Sequence, residues 1–79
     1  MPYLSIKCYP RDEAARRAAV ERLNQALMEV WGWAPEDITI SLEEVAPEDW
    51  DDQVERPEIR ARLDTVWILD GEKRYPPGK

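Results

Sequence analysis

The chain has 79 residues and a mass of 9.3 kDa, about half a typical domain, so residues 1–79 form a single domain at most. Hydrophobic residues at 43% and charged residues at 35% describe a soluble globular protein, and no apolar run approaches the roughly 18 residues of a membrane span. The net charge is −6, and residues 36–58 hold ten acids against one base, Arg56, so a phosphate backbone meets repulsion there and nucleic acid is excluded as a partner.

Residues 2–9 alternate with period two, Leu4, Ile6 and Cys8 on one face and Tyr3, Ser5, Lys7 and Tyr9 on the other, which predicts a half-buried strand. Pro10 cannot donate to a ladder and Asp12 is a good N-cap, so the chain turns at Pro10-Arg11 and enters a helix near residue 13. Ala15, Ala19, Leu23, Ala26, Leu27 and Val30 then recur at three- and four-residue steps. Arg16, Arg17, Glu21, Gln25 and Glu29 lie opposite, with Arg17 and Glu21 an i,i+4 pair. Gly32 with Pro35 ends this amphipathic helix, and Ile38 to Leu42 alternates again as a second strand. Strand, helix and strand in this order predict a βαβ unit with two parallel strands and a right-handed crossover.

The tetrapeptide Ala-Pro-Glu-Asp occurs at 34–37 and at 46–49. Each copy carries Pro where a first turn tolerates it and acids where the helix dipole favours them, so each predicts a short helical turn. Pro57 to Leu63 predicts another short helix. Val66 to Leu69, Asp70-Gly71 and Glu72 to Tyr75 have the form of a hairpin, although Val66 also continues the helical spacing. The fold class is α+β. A chain of this mass keeps roughly 5,000 Å² exposed out of roughly 13,500 Å² when extended, which is a thin core. A lone βαβ unit also leaves bare sheet edges, so a second subunit is expected to complete the sheet in a homo-oligomer, a dimer or a hexamer of three dimers. The N-terminus shows no apolar signal segment, which makes the expected location cytoplasmic.

No histidine is present and Cys8 is the sole cysteine, which excludes an internal disulfide, a zinc finger, and Ser-His-Asp or Cys-His chemistry. Amines, arginines, carboxylates and aromatics remain. Initiator methionine is generally removed before a small second residue, and the freed nitrogen of Pro2 is a secondary amine, more basic and nucleophilic than a primary one. A general base needs its pKa near the working pH, and desolvation with neighbouring cations lowers an amine's pKa. Pro2 at the start of a buried strand, with Arg11 beside it, meets that description; the plain alternative is a proline that merely starts a strand. Cys8 reads as a small buried hydrophobe, Lys7 as a solvated cation, and Trp31, Trp33 and Trp67 as core or interface aromatics. Glu43, Glu44, Asp49, Asp51 and Asp52 lack the spacing of a calcium loop and read as a solvated acidic face, so neither a metal nor a cofactor is expected.

Met-Pro-Tyr-Leu-Ser-Ile-Lys-Cys-Tyr-Pro-Arg at 1–11, the long helix after it, Ile-Thr-Ile-Ser-Leu-Glu-Glu-Val at 38–45 and Pro47-Glu48-Asp49-Trp50 together resemble the tautomerase superfamily of oxalocrotonate tautomerase. They are most similar to its short phenylpyruvate-tautomerase-like branch, typically dimeric. The resemblance implies a βαβ monomer whose strands join a partner's in one four-stranded sheet. It also implies that Pro2, freed of Met1, is the general base and acid that moves a proton between an enol oxygen and the adjacent carbon of a 2-keto acid. Arg11 lies within one position of the family's carboxylate-binding arginine, and its planar fork suits that task; the alternative is a solvated arginine near a helix start. Trp50 falls where the family places an aromatic that dries the site and lowers the proline pKa; the alternative is an ordinary core or interface tryptophan. Thr39 departs from the pattern. Oxalocrotonate tautomerase carries a second arginine at that strand position, so a monocarboxylate is the expected small-molecule substrate.

Two function classes follow. One is a cofactor-free keto-enol tautomerase acting on a small 2-keto or enol carboxylate, with Pro2 as proton carrier, Arg11 as anion holder and Trp50 as dry wall. The other is a catalytically silent dimer of the same fold serving as a small interaction module.

Overall fold

The computed structural model describes residues 1–77, and the chain divides into two compact units, Met1–Val45 and the segment from Ala46 onward. In the first unit β1 (Tyr3–Cys8) and β2 (Thr39–Glu44) run parallel, with Tyr3 opposite Thr39 and Cys8 opposite Glu44, and α1 (Glu13–Trp31) connects them. The Thr39 amide donates to the Pro2 carbonyl at 3.2 Å and the Val45 amide to the Cys8 carbonyl at 2.8 Å, so the ladder extends past both strand ends. This is the expected βαβ arrangement.

The helix begins and ends where its capping residues dictate. Asp12 is extended and its Oδ2 accepts the Ala15 amide at 3.2 Å, satisfying one of the free donors of the first turn, while Glu13 complements the dipole. Gly32 adopts the left-handed conformation at φ 74° and donates to the Met28 carbonyl at 3.0 Å. A Cβ at Gly32 would meet nothing within 4 Å. Gly32→Ala is therefore expected to cost only the left-handed strain, about 1 kcal/mol, and to lower the thermal midpoint by about 4–8 °C. An unchanged midpoint would show that the chain ends this helix by another geometry.

The covered face of α1 differs from the stripe that spacing predicts. Ala15, Arg16, Val20, Asn24, Leu27 and Met28 are half-buried, whereas Ala19 and Ala26 are exposed, as are Leu23 (40%) and Val30 (77%). The reason is width: two strands roughly 4.8 Å apart cannot cover the apolar stripe of a helix about 10 Å across. Leu4, Ile6, Ile40 and Leu42 on the facing strands are only half-buried, and among the described residues only Val45 and Val54 are deeply buried. Arg17 pairs with Glu13 at 3.5 Å and not with Glu21, since both positions lie one turn away and Glu13 sits at the favourable helix end.

Each Ala-Pro-Glu-Asp copy forms the expected short helical turn, wound as 3-10 helix at Pro35–Asp37 in the first unit and Pro47–Asp49 in the second. In the second unit Trp50 stays right-handed, and the chain runs on into a wide π-type helical segment, Asp51–Ile59, and tighter 3-10 turns within Arg60–Thr65 that are broken by a kink at Arg62 (φ −133°, ψ 37°). A short helix over 57–63 alone was the expectation. Pro57 lies inside the wide segment, and with no amide hydrogen and a ring that crowds the carbonyl four residues back it favours looser winding. Arg56 pairs with Asp51 at 2.8 Å and with Asp52, and Arg60 with Glu55 at 2.7 Å, so part of the acidic face is ion-paired rather than merely solvated.

The hairpin forms as β3 (Ile68–Leu69) antiparallel to β4 (Glu72–Lys73), with Asp70 at φ 49° and Gly71 at φ 84° in the turn. Val66 is extended and leaves the helical spacing. Trp67 stacks at a tilt on Tyr75, centroids 5.5 Å apart. Trp31, Trp33 and Trp67 are all exposed within this chain, so none is a core residue of the described structure.

Candidate active site

Pro2 is half-buried at the mouth of the parallel pair, its carbonyl bonded to Thr39 and its position continuing the face of Leu4, Ile6 and Cys8. Met1 before it is 81% exposed, so its removal disturbs no packing. On the opposite sheet face the Tyr3 hydroxyl lies 3.1 Å from that of Ser41. Hydrogen bonding from Ser41, and secondarily from Ser5, holds the Tyr3 phenol below its ordinary pKa.

Arg11 stands at the other end of the strands. Its amide donates to Glu44 Oε2 at 2.7 Å, and Glu44 is the register partner of Cys8. Its carbonyl accepts from Arg16 Nε at 3.1 Å, and that Nε lies 3.6 Å from Glu44 Oε2. Arg11 and Arg16 cap a groove of about 320 Å³ whose remaining walls are Ile6, Cys8, Ala15, Ala19, Leu23 and Leu42. Cys8 is thus half-buried and faces the groove, short of the full burial expected of a core hydrophobe. Apolar walls with cations at one end suit an organic anion with an aryl or alkyl body.

Within one protomer Pro2 and Arg11 are not neighbours. Pro2 sits at the Tyr3 and Thr39 end of the pair and Arg11 at the Cys8 and Glu44 end, and the steps from Tyr3 to Cys8, at roughly 3.3 Å each, separate these ends by roughly 17 Å. That exceeds the Debye length of about 8 Å at physiological salt, so Arg11 does not stand beside Pro2 of its own chain as the sequence suggested. Trp50 belongs to the second unit, where it is half-buried and donates its amide to the Pro47 carbonyl. The roles of Arg16 and Glu44 escape a sequence reading. One is a polar position on a helix and the other an acid at a strand end, and it takes the start of α1 together with the β1–β2 register to bring both to the Arg11 backbone.

A family model described as tautomerase enzyme matches residues 1–51, a span that takes in Pro2, Arg11 and Trp50. The chain belongs to the tautomerase family. A protein named Tautomerase PptA from Cronobacter sakazakii is 32% identical over 68 residues, covering 84% of this chain and 90% of that protein. A protein of the same name from Pectobacterium atrosepticum is 31% identical over 68 residues with the same coverage. The tautomerase resemblance drawn from the strand, helix and strand segments therefore holds, and the parallel pair with its connecting helix is consistent with the tautomerase βαβ fold. Among the described residues of this tautomerase, no helix is long and apolar enough to cross a membrane.

Proposed function

We propose that this protein is a cofactor-free keto-enol tautomerase for a small 2-keto or enol monocarboxylate, with Pro2 as proton carrier, and that each site is assembled from two copies of the chain. The observation that carries this reading is the placement of Pro2 and Arg11 at opposite ends of β1. One edge of β1 pairs with β2, and the other has no strand against it among the described residues. Two copies of β1 pairing antiparallel about a two-fold axis set the Pro2 end of each against the Arg11 end of the other. The β1 side is favoured because α1 contributes Ala15, Ala19 and Leu23 beside Arg16 to its groove, whereas α1 contributes Glu21, Asn24 and Gln25 beside Val20 to the groove next to β2.

In that assembly the Arg11 fork holds the substrate carboxylate and the apolar groove takes the rest of the molecule. The amine of Pro2 of the partner subunit accepts the proton of the enol hydroxyl and returns it to the adjacent carbon, so the enol becomes the 2-keto acid with no change of oxidation state. Exclusion of water, together with the facing Arg11, disfavours the protonated amine and lowers its pKa toward neutrality. Trp50 is assigned the drying aromatic on its position in the family pattern. Thr39, in place of a second arginine, favours a single carboxylate. Met1 must be absent, because an acylated proline nitrogen is a tertiary amide without basicity.

Ultraviolet monitoring of the ketonisation of an aryl enolpyruvate, with protein whose intact mass shows Met1 removed, tests the activity. Acceleration over buffer is expected, and a rate equal to buffer would favour the silent interaction module. The assembly has its own readout. Sedimentation at micromolar concentration is expected to give at least a dimer, given the bare edge of β1 and the uncovered flank of α1. A folded monomer would contradict the shared site.

A further inference from the structure

We infer that Glu44 and Arg16 are positioning residues for the carboxylate contact of Arg11, an inference that rests on the reading of Arg11 as anion holder. Arg11 lies in the connection between β1 and α1, outside any ladder and one residue before the helix cap. Such a residue ordinarily keeps its backbone freedom, and a guanidinium on a mobile backbone loses the fixed plane that two-pronged recognition of a carboxylate needs. Here both polar groups of Arg11's own backbone are held by side chains. Glu44 Oε2 accepts the amide at 2.7 Å, and Arg16 Nε donates to the carbonyl at 3.1 Å.

The two holders are also joined to each other, Arg16 Nε lying 3.6 Å from Glu44 Oε2. Their side chains are 35% and 33% exposed, about half the exposure of the Arg17–Glu13 pair on the open helix face, so solvent screens them less. Glu44 closes β2 and Arg16 belongs to the start of α1, so the clamp references Arg11 to both elements at once. It also resolves an electrostatic conflict. A carboxylate beside an anion site repels the anion, but the Glu44 charge is occupied by Arg16 and by the Arg11 amide, which leaves the Arg11 guanidinium as a cation at the groove.

The test is steady-state ketonisation of an aryl enolpyruvate by Glu44→Ala, in the parent protein and in Arg11→Ala, with amide exchange at Arg11 as a readout independent of activity. In the parent protein KM should rise roughly two- to tenfold, the effect of one hydrogen bond, with kcat within about twofold and faster exchange of the Arg11 amide. Glu44→Gln, which keeps an oxygen acceptor and guards against a folding artefact, should lie between parent and Glu44→Ala. In Arg11→Ala the second substitution should add nothing, because its route to the substrate is gone. An unchanged KM for Glu44→Ala beside a raised KM for Arg11→Ala overturns the positioning role alone, as does an equal rise in both backgrounds. If Arg11→Ala itself leaves KM unchanged, the anion-holder reading falls and takes this role with it.

Discussion

Pro2→Ala, in protein freed of Met1, is expected to lose roughly 10²- to 10⁴-fold in kcat/KM for ketonisation, the usual worth of a positioned general acid or base. Alanine still ends in an amine, but a primary one, less basic and free to rotate about the bond that the pyrrolidine ring locks. The loss should fall on kcat. The groove walled by Ala15, Ala19 and Leu23 and the clamped Arg11 are untouched at the other end of β1, so substrate binding is preserved. Equal rates for parent and variant would remove Pro2 from the mechanism and promote the silent module.

Arg11→Ala should do the reverse. If the guanidinium holds the carboxylate alike in ground and transition states, uniform binding is lost, so KM rises and kcat stays nearly constant. A charge-assisted contact is worth about 1.5 to 3 kcal/mol, or roughly ten- to a hundredfold in kcat/KM. A second effect follows if the site is shared between two chains as proposed. A cation facing the partner's amine disfavours the protonated form, so deleting it raises that amine's pKa and moves the limb of the pH profile set by the base to higher pH. An Arg11→Ala enzyme with KM and pH profile both unchanged would show an arginine that is merely solvated.

The parts of the fold that were legible in the sequence are those set by local chemistry. Period two marked β1 and β2, Asp12 and Gly32 bounded α1, and Asp70-Gly71 made the hairpin turn. Helical winding over 57–63 was legible too, but its start at Asp51 was hidden because π-type and 3-10 winding share no 3.6-residue stripe, and because Pro57 and the acids at 51 and 52 look like punctuation. The buried face of α1 was misjudged for a physical reason: spacing reports everything the helix can bury, whereas two strands cover only part of that stripe. Pro2 and Arg11 stand out by residue type and family pattern. Their separation along β1, and the approach of Glu44 to the Arg11 amide, depend on strand register, which no local pattern encodes.

Mixing two impaired proteins, Pro2→Ala and Arg11→Ala, tests the shared site most directly. After dissociation and equimolar reassociation about half of the dimers carry one chain of each kind, and in these one of the two sites joins an intact Pro2 to an intact Arg11. The mixture should therefore regain about a quarter of the parent activity, with the parent KM, although each variant alone is nearly inactive at low substrate. A reassociated mixture no more active than the average of its two components would contradict a site built from Pro2 of one chain and Arg11 of its partner.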